Sequence, residues 1–195
     1  LIFALCTIAL FLHIQTAKAQ SSSTQNGKPI QVARWITSQF GKGKTPPFSF
    51  EYGGMSSRDF LKRCRQTFTQ LPSTEDNQVR YIATYTDSQT GLEVECEVTG
   101  WTDFGAVEWV LRFENTGTDM TPPISHVQTT DITFLHPTGT PIVHYAEGSN
   151  ASRTDFAPHE RILNMGDTLK MEPRGGRSSD GAFPFFNLQT SEAEG

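Results

Sequence analysis

Two short stretches hold the side chains best suited to chemistry. Arg177, Ser178 and Asp180 share a loop bracketed by Gly175-Gly176 and Gly181. A guanidinium beside hydroxyls and a carboxylate supplies the donors and acceptors that sugar hydroxyls require. Asp155, ahead of Phe156-Ala157-Pro158, is a second loop carboxylate. Asp and Ser in Gly-rich loops also serve to bond the local backbone, so capping turns is the competing role for these residues. Trp101 sits at a hairpin end, where an indole can either stack on a sugar ring or complete a core. Glu93, Glu95, Glu97, Glu108 and Glu114 fall on polar strand faces, where carboxylates are normally solvated. His126, His136, His144 and His159 show no metal-ligand spacing among themselves or with cysteine.

The elements that must position these groups are organised around residues 91–117, GLEVECEVTGWTDFGAVEWVLRFENTG. Leu92, Val94, Cys96 and Val98 alternate with Glu93, Glu95, Glu97 and Thr99. After a turn containing Gly105 the alternation resumes in Val107, Trp109, Leu111 and Phe113. Period two on both arms predicts a hairpin with one buried face. Val110 breaks the polar face of the second arm, so that face is expected to be partly covered.

Upstream, residues 32–40 read as a first strand anchored by Trp35 and Phe40, and FSFEY at 48–52 as a second. Residues 57–68 shift to helical spacing, which predicts one short helix unless strand pairing overrides it. Residues 79–85 form a strand rich in β-formers. Further strands are expected at 124–135, 141–146, 161–165 and 168–171, and an aromatic cluster at 183–186. Many short strands with regular turns predict an all-β, antiparallel β-sandwich with at most one or two short helices.

Length and charge bound the function. The chain has 195 residues, with 16 Lys+Arg against 21 Asp+Glu. That balance lacks the basic patch of a nucleic-acid binder. Residues 1–14 are apolar and Ala17-Lys18-Ala19 supplies a cleavage site, the pattern of a secretory signal peptide over 1–19. Residues 20–31 are then a flexible leader, and 32–195 one domain. The expected product is exported, with no membrane span after processing. Only Cys64 and Cys96 remain in it; a disulfide between them is open, and a buried thiol is the simpler expectation for Cys96. Asn150-Ala151-Ser152 is a glycosylation sequon.

Three blocks carry a family resemblance. Residues 86–117, with the core DFGAVEWVLRFENTG followed by Thr121-Pro122 and Asp131, resemble the N-terminal domain of glycoside hydrolase family 36 α-galactosidases. GSNASRTDFAP at 148–158 and GGRSSDGAFPFFNL at 175–188 resemble the same family, in the same order. The sequence departs from that pattern at Gly105, where relatives usually carry proline.

The resemblance implies a supersandwich-type N-terminal domain, a catalytic (β/α)₈ barrel after it, and retaining hydrolysis of terminal α-galactosides without a cofactor. Family members often oligomerise. Both catalytic aspartates lie in the barrel, so none is expected in these residues, and the chain alone is expected to be inactive. It would pack on its own barrel, with Asp155, Arg177, Ser178, Asp180 and Trp101 as candidates for substrate binding or for the domain interface. A non-catalytic carbohydrate-binding sandwich is the alternative, and a mutarotase-like epimerase a further one. An epimerase needs a His and a Glu facing one sugar pocket. The adjacent pair His159-Glu160 cannot share one side of a strand.

Overall fold

A computed structural model describes residues 10–11, 27–133, 140–149, 151–177 and 179–189. Its elements in order are β1 (Leu10–Phe11), α1 (Gly27–Phe40), β2 (Ser49–Tyr52), β3 (Met55–Ser56), α2 (Ser57–Arg63), β4 (Arg65–Leu71), β5 (Gln78–Thr86), β6 (Leu92–Trp101), β7 (Ala106–Asn115), β8 (Ile124–Gln128), β9 (Ile142–Glu147), β10 (Pro158–Ile162) and β11 (Ala182–Gln189). Every strand pairing is antiparallel. The all-β expectation holds. The chain divides into two compact units, Leu1–Ile132 and Thr133–Gly195.

The first unit is built on a five-stranded sheet in the order β1-β7-β6-β5-β4. Alternation in β6 and β7 produces the expected hairpin, with Cys96 opposite Leu111 and Val98 opposite Trp109. Leu92, Val94, Cys96, Val98, Val107, Trp109 and Leu111 all face the core. A second layer covers this face: α1, α2 and the small sheet β3-β2-β8, which insert Val32, Ile36, Phe40, Phe48, Phe50, Tyr52 and Phe60. Phe50 stands edge-on to Phe113 with centroids 5.2 Å apart, locking the layers together.

Residues 32–40 are a helix and not the expected strand. Val32, Ile36 and Phe40 are four apart, and with Trp35 they form one apolar stripe that the sheet buries. The helix approaches β6 over Gly100, where an added Cβ would meet Val32 Cγ1 and lie 2.8 Å from Ile36 Cδ1. Only the missing side chain lets α1 sit this close. Residues 57–68 split between the two expected outcomes. Ser56 caps α2 by accepting from the Asp59 amide at 3.3 Å. From Arg65 onward, pairing with β5 takes over and Phe68 stacks on Tyr81 with centroids 5.2 Å apart.

The turn into β6 is fixed by a buried carboxylate. Asp87, 2% exposed, accepts from Thr90 Oγ1 at 2.7 Å and from the Gln89 amide at 3.3 Å, with Arg63 Nη2 at 3.4 Å. Tyr52 donates its hydroxyl to Thr90 at 2.8 Å, tying β2 to the same turn.

Cys64 and Cys96 are free thiols. Burial pushes the Cys64 thiol up to about 11 and raises Cys96 further, so each is an unreactive packing residue at neutral pH.

The second unit is the three-stranded sheet β10-β9-β11, with β11 carrying a bulge between Ala182 and Phe186. Three sequence expectations are corrected in the last part of the chain. β8 ends at Gln128, where 124–135 was the expected span, and Leu135 lies outside the described residues. β10 starts at Pro158 and ends at Ile162, earlier than the expected strand at 161–165. Residues 168–171 form no strand. Pairing supplies the reason: β10 takes its span from β9, with Pro158 opposite Ala146 and Ile162 opposite Ile142.

Candidate functional site

Three of the sequence candidates, Asp155, Arg177 and Asp180, belong to two loops at one end of the second unit's sheet. The first loop leaves β9 at Glu147 and returns at Pro158; the second leads into β11 at Ala182, which pairs with Glu147. Cross-strand pairing therefore places both loops at the same end. Ser149 donates its amide to the Ser179 carbonyl at 2.7 Å. Gly148 lies so close to this strand that a Cβ there would run into the Ser179 carbonyl oxygen and reach within 3.0 Å of the Ala182 nitrogen. A side chain at 148 would push the loops apart.

Asp155 acts chiefly on its own loop. It accepts from Ser149 Oγ at 2.9 Å, from the Ser152 amide at 3.0 Å and from Ser152 Oγ at 3.2 Å. The next residue, Phe156, has φ of 61° and is half exposed. Asp180 turns inward, its side chain 20% exposed, with Arg177 Nε at 3.9 Å and its carbonyl accepting the Arg174 amide at 2.8 Å. Arg177 is 71% exposed. The Asp155 carboxylate thus braces its own loop, and Asp180 braces the other through its backbone carbonyl. Ser178 and the sequon residue Asn150 lie outside the described residues, as does His136. Trp101 belongs to the first unit, at the end of β6 opposite Ala106, and is half-buried.

Glu95 and Glu97 form an ion-pair ladder on the first unit's sheet face opposite the core. Arg80 binds Glu97, and Arg112 Nη1 lies 3.0 Å from Glu95 and 3.1 Å from Glu97. Thr86 donates to Glu93 at 3.1 Å. The hydrogen bond from Arg80 holds the Glu97 carboxyl below its ordinary range. A general acid for glycoside cleavage needs the opposite shift. Val110 is half-buried on this face, opposite Glu97.

In the second unit, cross-strand register creates two His–Glu contacts that sequence proximity hides. His144 Nδ1 lies 3.1 Å from Glu160, and its Nε2 faces Gln189 Oε1 at 2.9 Å. His159 Nε2 lies 3.1 Å from Glu147, and its ring stacks on Tyr145 with centroids 5.3 Å apart. Glu160 is opposite His144 and His159 opposite Tyr145, so the two contacts fall on opposite faces of the sheet. His159 and Glu160 therefore point apart, as strand geometry requires. Both His144 nitrogens are engaged by this chain's own side chains. Only knowledge of the register could have found these pairs.

Among the described residues no group of three or more His, Cys, Asp or Glu side chains is arranged to hold a metal ion. No described helix is long and apolar enough to cross a membrane. No protein-family model, characterised protein or solved structure matches the chain.

Proposed function

We propose that the chain is the N-terminal β portion of an exported glycoside hydrolase family 36 α-galactosidase. In this reading the hydrolysis of terminal α-galactosides, with retention, takes place on a barrel carried elsewhere in the same protein. These residues then support the barrel without supplying a catalytic group.

One observation supports the reading above the others. The second and third blocks of family resemblance, at 148–158 and 175–188, are separated in sequence yet pack on each other. Ser149 meets Ser179, Gly148 leaves room for Ser179, and Phe156 meets Phe183 edge-on at 5.5 Å. The first block forms the β6–β7 hairpin that closes the core of the first unit. Resemblance therefore follows packing, as it would in a shared fold. The ion-pair ladder adds weight: Glu95 and Glu97 are committed to arginine, a structural use of charge.

The test is to follow the reading frame beyond Gly195, express the whole product and assay it on aryl α- and β-galactosides. Expected is hydrolysis of the α-anomer alone, with α-galactose as first product by NMR, and a mature N-terminus at Gln20. A complete product that leaves the α-galactoside intact would overturn the proposal. The alternative is a non-catalytic carbohydrate-binding sandwich. It would gain if the complete protein bound galactosides without cleaving them.

A further inference from the structure

The second unit exposes aromatic rings that its own sheet does not cover. Phe156 is 51% exposed and Phe185 56%. Phe156 meets Phe183 edge-on, with centroids 5.5 Å apart, and Phe183 meets Phe185 at 5.0 Å. Three rings from two loop ends thus form one run. Phe156 reaches this position from a left-handed backbone, φ 61°, which disfavours a bulky side chain. Hydrogen bonds from Ser149 and Ser152 to Asp155 hold its turn there. Strain maintained to present an apolar ring to water is a feature that calls for a use.

Charge on these loops is sorted by direction. Asp155 and Asp180 turn inward, Asp155 onto Ser149 and Ser152 and Asp180 to a side chain 20% exposed, while the exposed Glu172 is paired with Lys170 at 2.7 Å. The guanidiniums turn outward. Arg177 is 71% exposed, and Arg153 and Arg174 are exposed as well. Arg153 stands in the same turn as Phe156, and the Arg174 stem packs against Gly181, two residues before Phe183. The rim of the ring run is therefore positive.

This combination selects one kind of partner. Phenylalanine offers no hydrogen-bond donor or acceptor, so a hydroxyl-rich ligand finds no polar handle on these rings. An apolar side chain gains from being buried there, and carboxylates beside it meet outward arginines in bidentate geometry. Interfaces favour this pairing of aromatic anchors with arginine. We propose that the Phe156–Phe183–Phe185 run is a docking surface for a protein segment whose apolar side chains are framed by carboxylates. The proposal stands apart from the α-galactosidase reading and does not need it.

The test uses the whole chain and three synthetic peptides of equal length. Each carries the same Leu-Phe pair, flanked by glutamates, by serines or by lysines. Fluorescence anisotropy should rank the glutamate peptide first, about tenfold tighter than the lysine one, a gap within the reach of a few charge contacts. Amide NMR shifts should map to residues 153–156 and 174–185. Arg177→Glu should erase the preference for glutamate. Phe156→Asn keeps a residue type that tolerates the left-handed turn and should weaken all three peptides. Phe185→Ser, on the strand, should do the same if Phe156→Asn lowers the melting midpoint. Equal affinity for the three peptides, or no binding of any, overturns the proposal. So does a galacto-oligosaccharide that shifts these amides when the glutamate peptide does not.

Discussion

Trp109→Ala is expected to destabilise the first unit by about 3–5 kcal/mol, the usual cost of emptying a buried aromatic site. The indole lies between the layers, 5.6 Å from the Phe40 ring and 6.4 Å from Trp35. Its Nε1 donates to the Thr129 carbonyl at 2.7 Å, so truncation both opens a cavity and strands a carbonyl. Trp109→Phe keeps most of the volume but loses the hydrogen bond and part of the packing, and should cost about 1–3 kcal/mol. The neighbouring Glu108 lies on the opposite face, and Glu108→Ala should stay within about 0.5 kcal/mol. Urea denaturation of the three variants decides the matter. Similar midpoints for Glu108→Ala and Trp109→Ala would mean the strand register is wrong.

Asp87→Ala should rank next, at roughly 2–3 kcal/mol, the range for hydrogen bonds to a charged group. The carboxylate is buried and gathers Thr90, the Gln89 amide and Arg63 around the turn before β6. Its loss leaves the Arg63 guanidinium, already stacked over Phe60 at 4.8 Å, without a counter-charge there. Asp87→Asn keeps the shape and one acceptor and should recover part of the loss. Added salt separates the contributions, because Arg63 is 37% exposed and its share is screened. If Asp87→Asn proves as damaging as Asp87→Ala, charge and not turn geometry is what the site requires.

The hairpin was legible because alternation of two is local: Leu92 through Val98 and Val107 through Phe113 announce their buried face without any partner. The first helix was not. Val32, Ile36, Trp35 and Phe40 are β-formers by type, and residue type suggested a strand. Their spacing of three and four was the better signal, and a sheet with a glycine at position 100 supplies the surface that makes it decisive. Around residue 64 the local signals conflict. The Ser56–Asp59 cap starts a helix, and pairing with β5 ends it.

At the candidate site the loop character of Asp155 and Asp180 could be read from their glycine neighbours. The contacts that give them meaning could not. Ser149 reaches Ser179 only because β9 and β11 pair, and the His144–Glu160 contact depends on the β9–β10 register. The left-handed turn at Phe156 had no signal either, since glycine or asparagine is the residue expected there.

The order of strands in the first unit also bears on how the chain acquires its structure. From β4 to β7 each strand pairs with the next in sequence. Closing such hairpins costs little loop entropy, and chains rich in local pairings fold quickly. The helix α1 reaches the same sheet from far upstream and can dock only on a face already assembled. The hairpins should therefore be formed in the rate-limiting step and the helix interface afterwards. Cys96→Ala, in β6, should then chiefly slow refolding, whereas Ile36→Val, in α1, should chiefly speed unfolding. Stopped-flow chevrons that place both effects on the same limb would reverse that order. Strands β4 to β7 all lie within residues 65–115, so this part of the sheet can be complete before β9 is available to pair.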